Sequence, residues 1–333
     1  MTGRTRIVVL EDWNRFFADA PALARLRQRA GVEVQHDRPA GQADLIARLR
    51  GVQVVVLNRE RTRVDATVLA ALPDLELIVQ TGGVSPNLDL AAATSHGVAV
   101  ATAPGLPDSI DGVAELALGL LLSLARRIPA HDRAVRAGDW AVAPSVMLAG
   151  GVMGIVGLGR LGRSLARLGH ALRMQVIAAG PTLTPARAAE SGVEFATLDE
   201  VCARADALFI CTRLSERTRG LVTRRHLALM KPTAYLINVA RGPIVDEAAL
   251  REALQAGRLA GAGLDVYGRE PLPADDPLTA LDNVVLTPHI GWVTAANCTR
   301  FVESAVAAIE RYLDGDTGGI VNPEALAARR PAR

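Results

Sequence analysis

The fold of this chain is decided by the stretch Val152-Met153-Gly154-Ile155-Val156-Gly157-Leu158-Gly159-Arg160-Leu161-Gly162. A short apolar run ends in glycines spaced G-x-G-x-x-G, and residues 163–172 then have a helical pattern. In a dinucleotide-binding unit Gly157 allows the tight turn, Gly159 lets a pyrophosphate approach the backbone, and Gly162 lets the helix pack closely on the strand. The stretch therefore predicts a dinucleotide site, with a purely structural glycine turn as the alternative.

Short apolar segments alternate with helical patterns on both sides of this stretch, which predicts parallel α/β sheets covered on both faces. The predicted strands are Arg6–Leu10, Val32–Gln35, Val52–Leu57, Leu75–Gln80, Val98–Ala101, Met174–Ala178, Ala207–Cys211, Ala234–Asn238, Leu259–Val266 and Val284–Leu286. The predicted helices are Pro21–Ala30, Ala43–Arg50, Val113–Arg127, Leu198–Arg204, His226–Met230, Glu247–Ala256 (with Asp246 as N-cap and Gly257 as stop) and Thr294–Leu313.

Composition argues against several classes of function. The chain has 333 residues, a formal net charge of +2 and no long basic run, so no nucleic-acid partner is predicted. No apolar stretch reaches membrane-spanning length and the N-terminus lacks a signal-peptide pattern, so no membrane association is expected. Cys202, Cys211 and Cys298 match no zinc or redox spacing. We therefore predict no metal site, and the unpaired cysteines favour a reducing cytoplasm.

Three polar residues follow predicted strands: Arg241, Glu270 and His289. Ligands of open α/β sheets bind beyond the carboxyl ends of the strands, so these side chains are candidates for one site. An arginine can bind a carboxylate through two hydrogen bonds, and a histidine beside a carboxylate is a tunable acid or base. Such a trio suits the addition of a hydride and a proton to a 2-keto acid. The alternative is a surface arginine, an exposed glutamate and a histidine in ordinary hydrogen bonds.

At these residues the chain resembles the D-isomer-specific 2-hydroxyacid dehydrogenases, which include D-3-phosphoglycerate dehydrogenases and glyoxylate/hydroxypyruvate reductases. The resemblance covers roughly residues 6–322. It rests on several motifs in order: Thr81-Gly82 to Asn87-Leu88-Asp89, Ala114-Glu115, the glycine turn, Thr218-Arg219-Gly220-Leu221, Met230-Lys231-Pro232 through Asp246-Glu247, Leu264-Asp265-Val266, Glu270-Pro271 and Thr287-Pro288-His289-Ile290-Gly291.

The resemblance implies two doubly wound parallel-sheet domains. A Rossmann nucleotide domain, residues 109–296, would be inserted into a flavodoxin-like substrate domain formed by residues 1–108 and 297–333. The chain would cross between them near residues 113–127 and 291–296, and the first crossing helix with its neighbours would form a homodimer interface.

The resemblance also assigns catalytic roles. Arg241 would bind the carboxylate and carbonyl oxygen of the substrate, and His289 would donate or accept the proton. Glu270 would hold the imidazole and favour its charged form. Formate dehydrogenases of this superfamily typically have glutamine where Glu270 stands, so the site fits proton transfer better than formate oxidation.

Further contacts are implied on the substrate and cofactor sides. The substrate would be bound by Arg59 and by the backbone around Gly82, Gly83 and Val84, with Arg61 as a competitor of Arg59. Asp265 would face the nicotinamide carboxamide. The predicted cofactor-binding residues are Gly157, Gly159, Arg160, Leu161, Gly162, Gly180, Thr212, Val239, Ala240, Asp265 and Gly291.

Four departures from the family pattern stand out. Gly180 occupies the position where members that prefer NAD usually have an aspartate for the ribose hydroxyls. No arginine replaces that aspartate, although Arg187, beyond the 182–186 loop, and Arg213, after the strand Ala207–Cys211, are candidates to approach the adenosine, so NAD and NADP both remain open. Cys211-Thr212-Arg213 replaces His-x-Pro, Val84 replaces a frequent glycine, and Gly105-Leu106-Pro107-Asp108-Ser109 replaces a Ser/Asn-rich approach to the following helix.

The sequence thus predicts an NAD(P)-dependent D-2-hydroxyacid dehydrogenase, acting as a 2-keto acid reductase on a small-molecule substrate that the sequence does not name. The alternative is a catalytically weak, nicotinamide-sensing binding protein of the corepressor type on the same fold.

Overall fold

The chain passes from one α/β unit into a second and then returns to the first. The computed structural model describes residues 4–13, 15–140 and 142–328. One unit comprises residues 1–107 and 294–333, and the other comprises residues 108–293. The second unit thus starts at residue 108 rather than at the expected 109, and ends at 293 rather than at 296.

Each unit is built on a parallel sheet, and the predicted fold class is confirmed. The strands of the first unit are β1 Arg6–Val9, β2 Gly31–Val34, β3 Val54–Leu57, β4 Leu77–Thr81 and β5 Ala99–Ala103. The strands of the second are β6 Val152–Val156, β7 Gln175–Ala179, β8 Glu194–Phe195, β9 Ala207–Ile210, β10 Tyr235–Asn238, β11 Gly261–Leu264 and β12 Val284–Leu286.

The strand orders identify the two architectures. The first sheet has the order β2-β1-β3-β4-β5, which is the flavodoxin-like order. The second has the order β12-β11-β10-β9-β6-β7-β8, which is the Rossmann order with one further strand. All strand pairs in both sheets are parallel. The order reverses at β6, so the glycine turn that follows β6 lies at the switch point, where this fold class binds its ligands.

The helices lie between the strands in chain order. They are α1 Pro21–Arg29, α2 Gln42–Leu49, α3 Ala66–Ala70, α4 Leu90–Ser95, α5 Ser109–Ala125, α6 Ile128–Arg136, α7 Arg160–Ala171, α8 Pro185–Ala189, α9 Leu198–Arg204, α10 Arg224–Leu229, α11 Glu247–Gln255, α12 Ala295–Leu313 and α13 Glu324–Ala328.

Local sequence signals account for several helix ends. Asp246 accepts a hydrogen bond from the Ala249 N–H and caps α11, and Gly257 follows with φ of +65°, as predicted. The helix expected over Val113–Arg127 begins earlier, at Ser109, and ends at Ala125. It ends there because Arg127 is left-handed (φ of +54°) and Pro129 stands in the first turn of α6.

Each sheet is covered on both faces, because successive side chains of a strand point to opposite sides. In the second unit Ile155, Phe209 and Ile237 pack into one buried cluster, which also contains residues of α5 and α7. Val156 and Leu208 pack into another cluster on the opposite face. The near-continuous apolar strands read from the sequence are explained by this double burial.

The glycines of the turn have distinct steric roles. Gly157 has φ of +103°, and a Cβ there would lie 2.7 Å from the Thr212 backbone nitrogen. A Cβ on Gly162 would lie near the Gly157 carbonyl oxygen, so the first turn of α7 packs directly on the glycine turn. A Cβ on Gly159 would have no neighbouring atom within 4 Å. Gly157 and Gly162 are thus required for packing, whereas Gly159 leaves open space above the backbone.

This difference predicts opposite effects of two alanine substitutions on stability. Gly162→Ala should lower the free energy of unfolding by about 1–3 kcal/mol, because its methyl group overlaps the Gly157 carbonyl. Gly159→Ala is the matched control and should change the free energy of unfolding by less than about 0.5 kcal/mol. Denaturant unfolding of both variants measures the difference, and equal destabilisation of the two would contradict this steric account.

Candidate functional site

The carboxyl edge of the second sheet gathers the predicted catalytic residues. Strands β10, β11 and β12 are adjacent and parallel, so the chain leaves all three at the same edge. Arg241 lies three residues beyond β10, Glu270 follows β11, and His289 lies three residues beyond β12. The sheet topology therefore brings these residues to one edge although 48 positions separate Arg241 from His289 in the sequence.

His289 and Glu270 form a hydrogen-bonded pair. The His289 Nδ1 atom lies 2.7 Å from Glu270 Oε2, and Glu270 Oε1 accepts a hydrogen bond of 3.0 Å from the Tyr267 N–H. Burial alone would raise the pKa of Glu270. The hydrogen bond and charge of His289, together with the Tyr267 N–H and the Arg241 charge, outweigh burial and hold this pKa below its ordinary value.

The ionised state of Glu270 fixes the orientation of the imidazole. An ionised carboxylate can only accept, so Nδ1 of His289 must carry the proton that it donates to Glu270. The other ring nitrogen, Nε2, is then the atom that can exchange a proton with a ligand. The pair therefore has the arrangement of a general acid or base whose ring is held by a carboxylate.

Asp265 fixes the loop that carries His289. Its Oδ1 accepts hydrogen bonds from the Thr287 hydroxyl (2.6 Å) and the Ile290 N–H (2.8 Å), and its Oδ2 accepts one from the Gly291 N–H (2.9 Å). Asp265 is 1% exposed, and burial raises its pKa. His289 itself has φ of +56°, a left-handed conformation that is uncommon for non-glycine residues. The loop is thus clamped on both sides of the histidine.

Arg241 stands in a turn ordered by Asn238, a residue that the sequence analysis did not single out. The Asn238 side chain donates to the Arg241 carbonyl (3.1 Å) and accepts from the Ala240 N–H (3.1 Å). The Arg241 guanidinium donates to the Ala240 carbonyl over 2.6 Å, and its charge helps to lower the pKa of Glu270. A buried amide at the end of an apolar strand was the available signal, because such a group needs hydrogen-bond partners.

The glycine turn fits a dinucleotide. The open space at Gly159 and the N-terminus of α7, which begins at Arg160, leave backbone N–H groups accessible to a phosphate. Leu161 is 8% exposed and packs into the core, so only its backbone is available there. Thr212 lies against Gly157 beyond β9, and Val239 and Ala240 follow β10. The predicted cofactor residues thus lie at consecutive strand ends of one sheet.

A pocket of about 300 Å³ lies beside this turn and contains Gly180, the first residue after β7. It is lined by Val156, Ala179, Gly180, Pro181, Phe195, Ala196, Thr197, Leu198, Arg217 and Leu221. Arg187 and Arg213 are not among these residues, and the Arg187 guanidinium instead donates to the Thr182 carbonyl over 2.8 Å. Arg217 was missed by the sequence analysis, because only the folded loop brings it to Gly180.

In the first unit, Arg59 lies against Gly82. Gly82 has φ of +88°, and a Cβ there would overlap the Arg59 guanidinium. The Arg59 N–H donates to the Thr81 hydroxyl over 2.8 Å, and its guanidinium lies 5.5 Å from the centre of the Phe301 ring. Gly83 and Val84 are exposed.

Arg61, the competitor of Arg59, faces another direction. It lies over the Trp13 ring at 4.1 Å and donates to the Glu11 carbonyl over 2.5 Å, and burial lowers its pKa. Of the two arginines, Arg59 is therefore the one in contact with the glycine loop.

Among the described residues, no group of three or more His, Cys, Asp or Glu side chains is arranged to hold a metal ion. No described helix is both long enough and apolar enough to cross a bilayer. Burial raises the pKa of the Cys202 thiol to about 12 and also raises those of Cys211 and Cys298. The thiols therefore stay protonated at neutral pH and are poor nucleophiles.

Comparison with known proteins supports the fold and the family. Residues 118–291 match the family described as D-isomer specific 2-hydroxyacid dehydrogenase, NAD binding domain, and this match supports the predicted NAD(P) cofactor. A solved oxidoreductase from Ralstonia solanacearum superposes with a TM-score of 0.90 at 33% identity and covers 97% of this chain and 98% of its own.

Two curated relatives match different shares of their own lengths. A D-3-phosphoglycerate dehydrogenase of Mycobacterium tuberculosis is 39% identical over 81% of this chain, but the match covers only 52% of that protein. The chain thus spans about half the length of the curated D-3-phosphoglycerate dehydrogenases it matches. A glyoxylate reductase of Korarchaeum cryptofilum is 33% identical over 93% of this chain and 95% of its own length. Together with the match to the NAD-binding domain, these similarities show that the chain belongs to the D-isomer-specific 2-hydroxyacid dehydrogenase family.

Proposed function

We propose that this chain is an NAD(P)-dependent oxidoreductase that interconverts 2-keto acids and D-2-hydroxy acids. The observation that carries the proposal is the hydrogen bond of 2.7 Å between His289 and Glu270, at the sheet edge that also bears Arg241 and the glycine turn. An acid or base, an anion-binding group and a dinucleotide-binding turn are the three elements that reduction of a keto acid requires.

Each catalytic residue has a separate task in this proposal. A reduced nicotinamide, when bound, supplies the hydride. Arg241 binds the carboxylate of the keto acid with its planar guanidinium and orients the carbonyl. His289 donates the proton from Nε2 to the carbonyl oxygen, and Glu270 stabilises the imidazolium before the transfer. In the reverse direction neutral His289 accepts that proton from the hydroxy acid.

We propose that Asp265 positions the loop that carries His289, in addition to its expected contact with the cofactor. Its two carboxylate oxygens already accept three hydrogen bonds from Thr287, Ile290 and Gly291. We infer that Asp265 holds His289 in position, and any contact with the carboxamide of the cofactor would use its remaining acceptor capacity.

On the substrate side, we infer that Arg59 and the backbone of Gly82, Gly83 and Val84 bind the keto acid. The contact between Arg59 and Gly82, and the exposure of Gly83 and Val84, support this assignment. We propose a 2-keto acid as the substrate class, in line with the family and with the glyoxylate reductase that matches this chain at 33% identity.

We also propose a homodimer, as members of this family form. Within the second unit, several large apolar side chains on or after α6 are exposed: Ile128 (52%), Val135 (53%), Trp140 (83%), Val142 (86%) and Met147 (79%). Exposed apolar patches of this kind mark interaction surfaces.

The mass in solution, measured by light scattering, should be about twice 35.1 kDa, and a monomer at all concentrations would exclude this assembly. The cytoplasmic location expected from the cysteines stays a prediction.

The first prediction tests the activity and its proton donor. The parent protein should oxidise NADH or NADPH when 2-keto acids are added, and His289→Ala should lower kcat by about 10²–10⁴-fold while cofactor affinity persists. His170→Ala, which removes an exposed histidine of α7, is the control and should keep parental turnover. Cofactor binding without turnover on any keto acid by the parent would favour the nicotinamide-sensing alternative, and a fully active His289→Ala would remove His289 from its role.

The second prediction concerns pH. Oxidation of a hydroxy acid needs neutral His289, and ionised Glu270, with its lowered pKa, favours the imidazolium. Glu270→Gln removes this negative charge, so the acidic limb of the kcat/KM profile for oxidation should move to lower pH. Glu190→Gln, at an exposed carboxylate of the same unit, should leave the limb in place. If the limb of Glu270→Gln coincides with that of the parent, Glu270 does not act on the imidazole.

The third prediction concerns the substrate anchor. Arg241→Lys should lower kcat/KM for 2-keto acids strongly, because an ammonium cannot reproduce the planar two-point contact with a carboxylate. Residual activity on ketones without a carboxylate should fall far less. Arg258→Lys, at an exposed position, is the control and should behave as the parent. Equal losses on charged and uncharged substrates in Arg241→Lys would mean that Arg241 is structural.

A further inference from the structure

The pocket beside the glycine turn has apolar walls and one cationic side chain. Its walls include Pro181, Phe195, Leu198 and Leu221, and its volume of about 300 Å³ is at the small end of ligand sites. Arg217 is the one cationic residue among the described residues that line it, and none of these residues is acidic. The pocket can therefore accept a flat apolar group with an anion next to it.

The carboxylates near the pocket do not neutralise the positive charge of Arg217, because they are paired with other groups. Glu200 accepts hydrogen bonds of 2.8 Å from the Thr197 N–H and hydroxyl, and Glu194 pairs with Arg204. Both carboxylates thus have partners of their own. Among the described residues, none forms a hydrogen bond or an ion pair with the Arg217 guanidinium. An exposed guanidinium at the edge of a pocket that lacks a counter-charge attracts an anionic ligand group.

The loop that carries Arg217 is ordered. The Thr218 hydroxyl, in a residue that is 5% exposed, donates to the Arg213 carbonyl over 2.6 Å and accepts from the Ser215 N–H over 2.7 Å. These bonds close the loop into a tight turn just before Thr218. Arg217 is therefore presented to the pocket by a fixed backbone, whereas Arg213 and Arg219 of the same loop are exposed and outside the pocket lining.

Gly180 adds no negative charge to the pocket. It stands at the end of β7 within the pocket and carries no carboxylate to accept a hydrogen bond from a ribose hydroxyl or to repel a phosphate. We propose that Arg217 binds the 2′-phosphate of NADP(H) and gives the protein a preference for NADP(H) over NAD(H). The proposal rests on the proposed function in one respect, namely that the pocket takes the adenosine half of a nicotinamide dinucleotide.

The experiment measures binding rather than turnover. Isothermal titration of the full chain with NADP⁺, NAD⁺ and adenosine 2′,5′-bisphosphate should give tighter binding of the two 2′-phosphorylated ligands. Arg217→Ala should weaken both of these by roughly 10- to 100-fold, the range for a hydrogen bond to a charged group, and should leave NAD⁺ nearly unchanged. Arg219→Ala removes the same charge from the same loop and is the matched control, with parental affinity for all three ligands.

A second variant tests the same inference from the opposite side of the pocket. A Cβ on Gly180 would lie 3.5 Å from its nearest neighbour, Gly157 Cα, so an aspartate fits there at ordinary contact distance. Gly180→Asp should weaken NADP⁺ and strengthen NAD⁺, because the carboxylate repels the 2′-phosphate and accepts from the free ribose. Thermal unfolding of the three variants should match that of the parent, since all three positions are at the surface of the second unit or in the open pocket.

The outcomes separate this inference from the proposed function. Equal weakening of NAD⁺ and NADP⁺ in Arg217→Ala, or a parent that binds NAD⁺ more tightly than NADP⁺, overturns the role of Arg217 and leaves the dehydrogenase proposal standing. A parent that binds neither dinucleotide overturns both. An effect of Arg219→Ala equal to that of Arg217→Ala shows that the loop acts through its overall charge, and this also overturns the specific contact.

Discussion

The hydrogen bond between His289 Nδ1 and Glu270 Oε2 is the interaction on which the proposed chemistry of this protein depends. The carboxylate must be ionised to hold the ring, and Glu270 remains ionised despite burial because His289, the Tyr267 N–H and Arg241 all favour its charged form. The imidazole in turn is held where the carboxylate can reach it because Asp265 fixes the loop on both sides of His289, through Thr287 before it and Ile290 and Gly291 after it. The buried Asp265 thus fixes the conformation of the loop, whereas the partly exposed Glu270 binds the imidazole that is proposed to transfer the proton.

The same sheet edge carries the residues that are proposed to bind the cofactor. The glycine turn follows β6, at the point where the strand order reverses, and the proposed catalytic residues follow β10, β11 and β12. Because parallel strands all end at one edge, a single sheet can present a phosphate-binding turn and an acid–base pair. Gly162 secures this arrangement by letting α7 begin directly on the turn, and Gly159 keeps the approach to the backbone open.

Features fixed by local sequence or by the order of parallel strands could be predicted, and features that depend on how individual loops fold could not. The spacing of Gly157, Gly159 and Gly162 specifies a turn whose steric reasons lie within a few residues, and Asp246 caps α11 by the same local logic. The bonds from Asp265 to the His289 loop join residues about 25 positions apart. The meeting of Arg217 and Gly180 in one pocket depends on how two loops fold. Neither the bonds of Asp265 nor the approach of Arg217 to Gly180 leaves a periodic signal in the sequence. The sequence analysis therefore considered Arg187 and Arg213 instead of Arg217.

We propose that this sheet edge transfers a hydride and a proton to the carbonyl of a 2-keto acid. Incubation of the full chain with a panel of 2-keto acids and NADH or NADPH that carries two deuterium atoms at C4 of the dihydronicotinamide, followed by NMR of the products, tests it most directly. The account predicts 2-hydroxy acid with deuterium at C2 and, where C2 is chiral, the D configuration. Absence of product with every keto acid, or product whose C2 hydrogen comes from solvent, would contradict it.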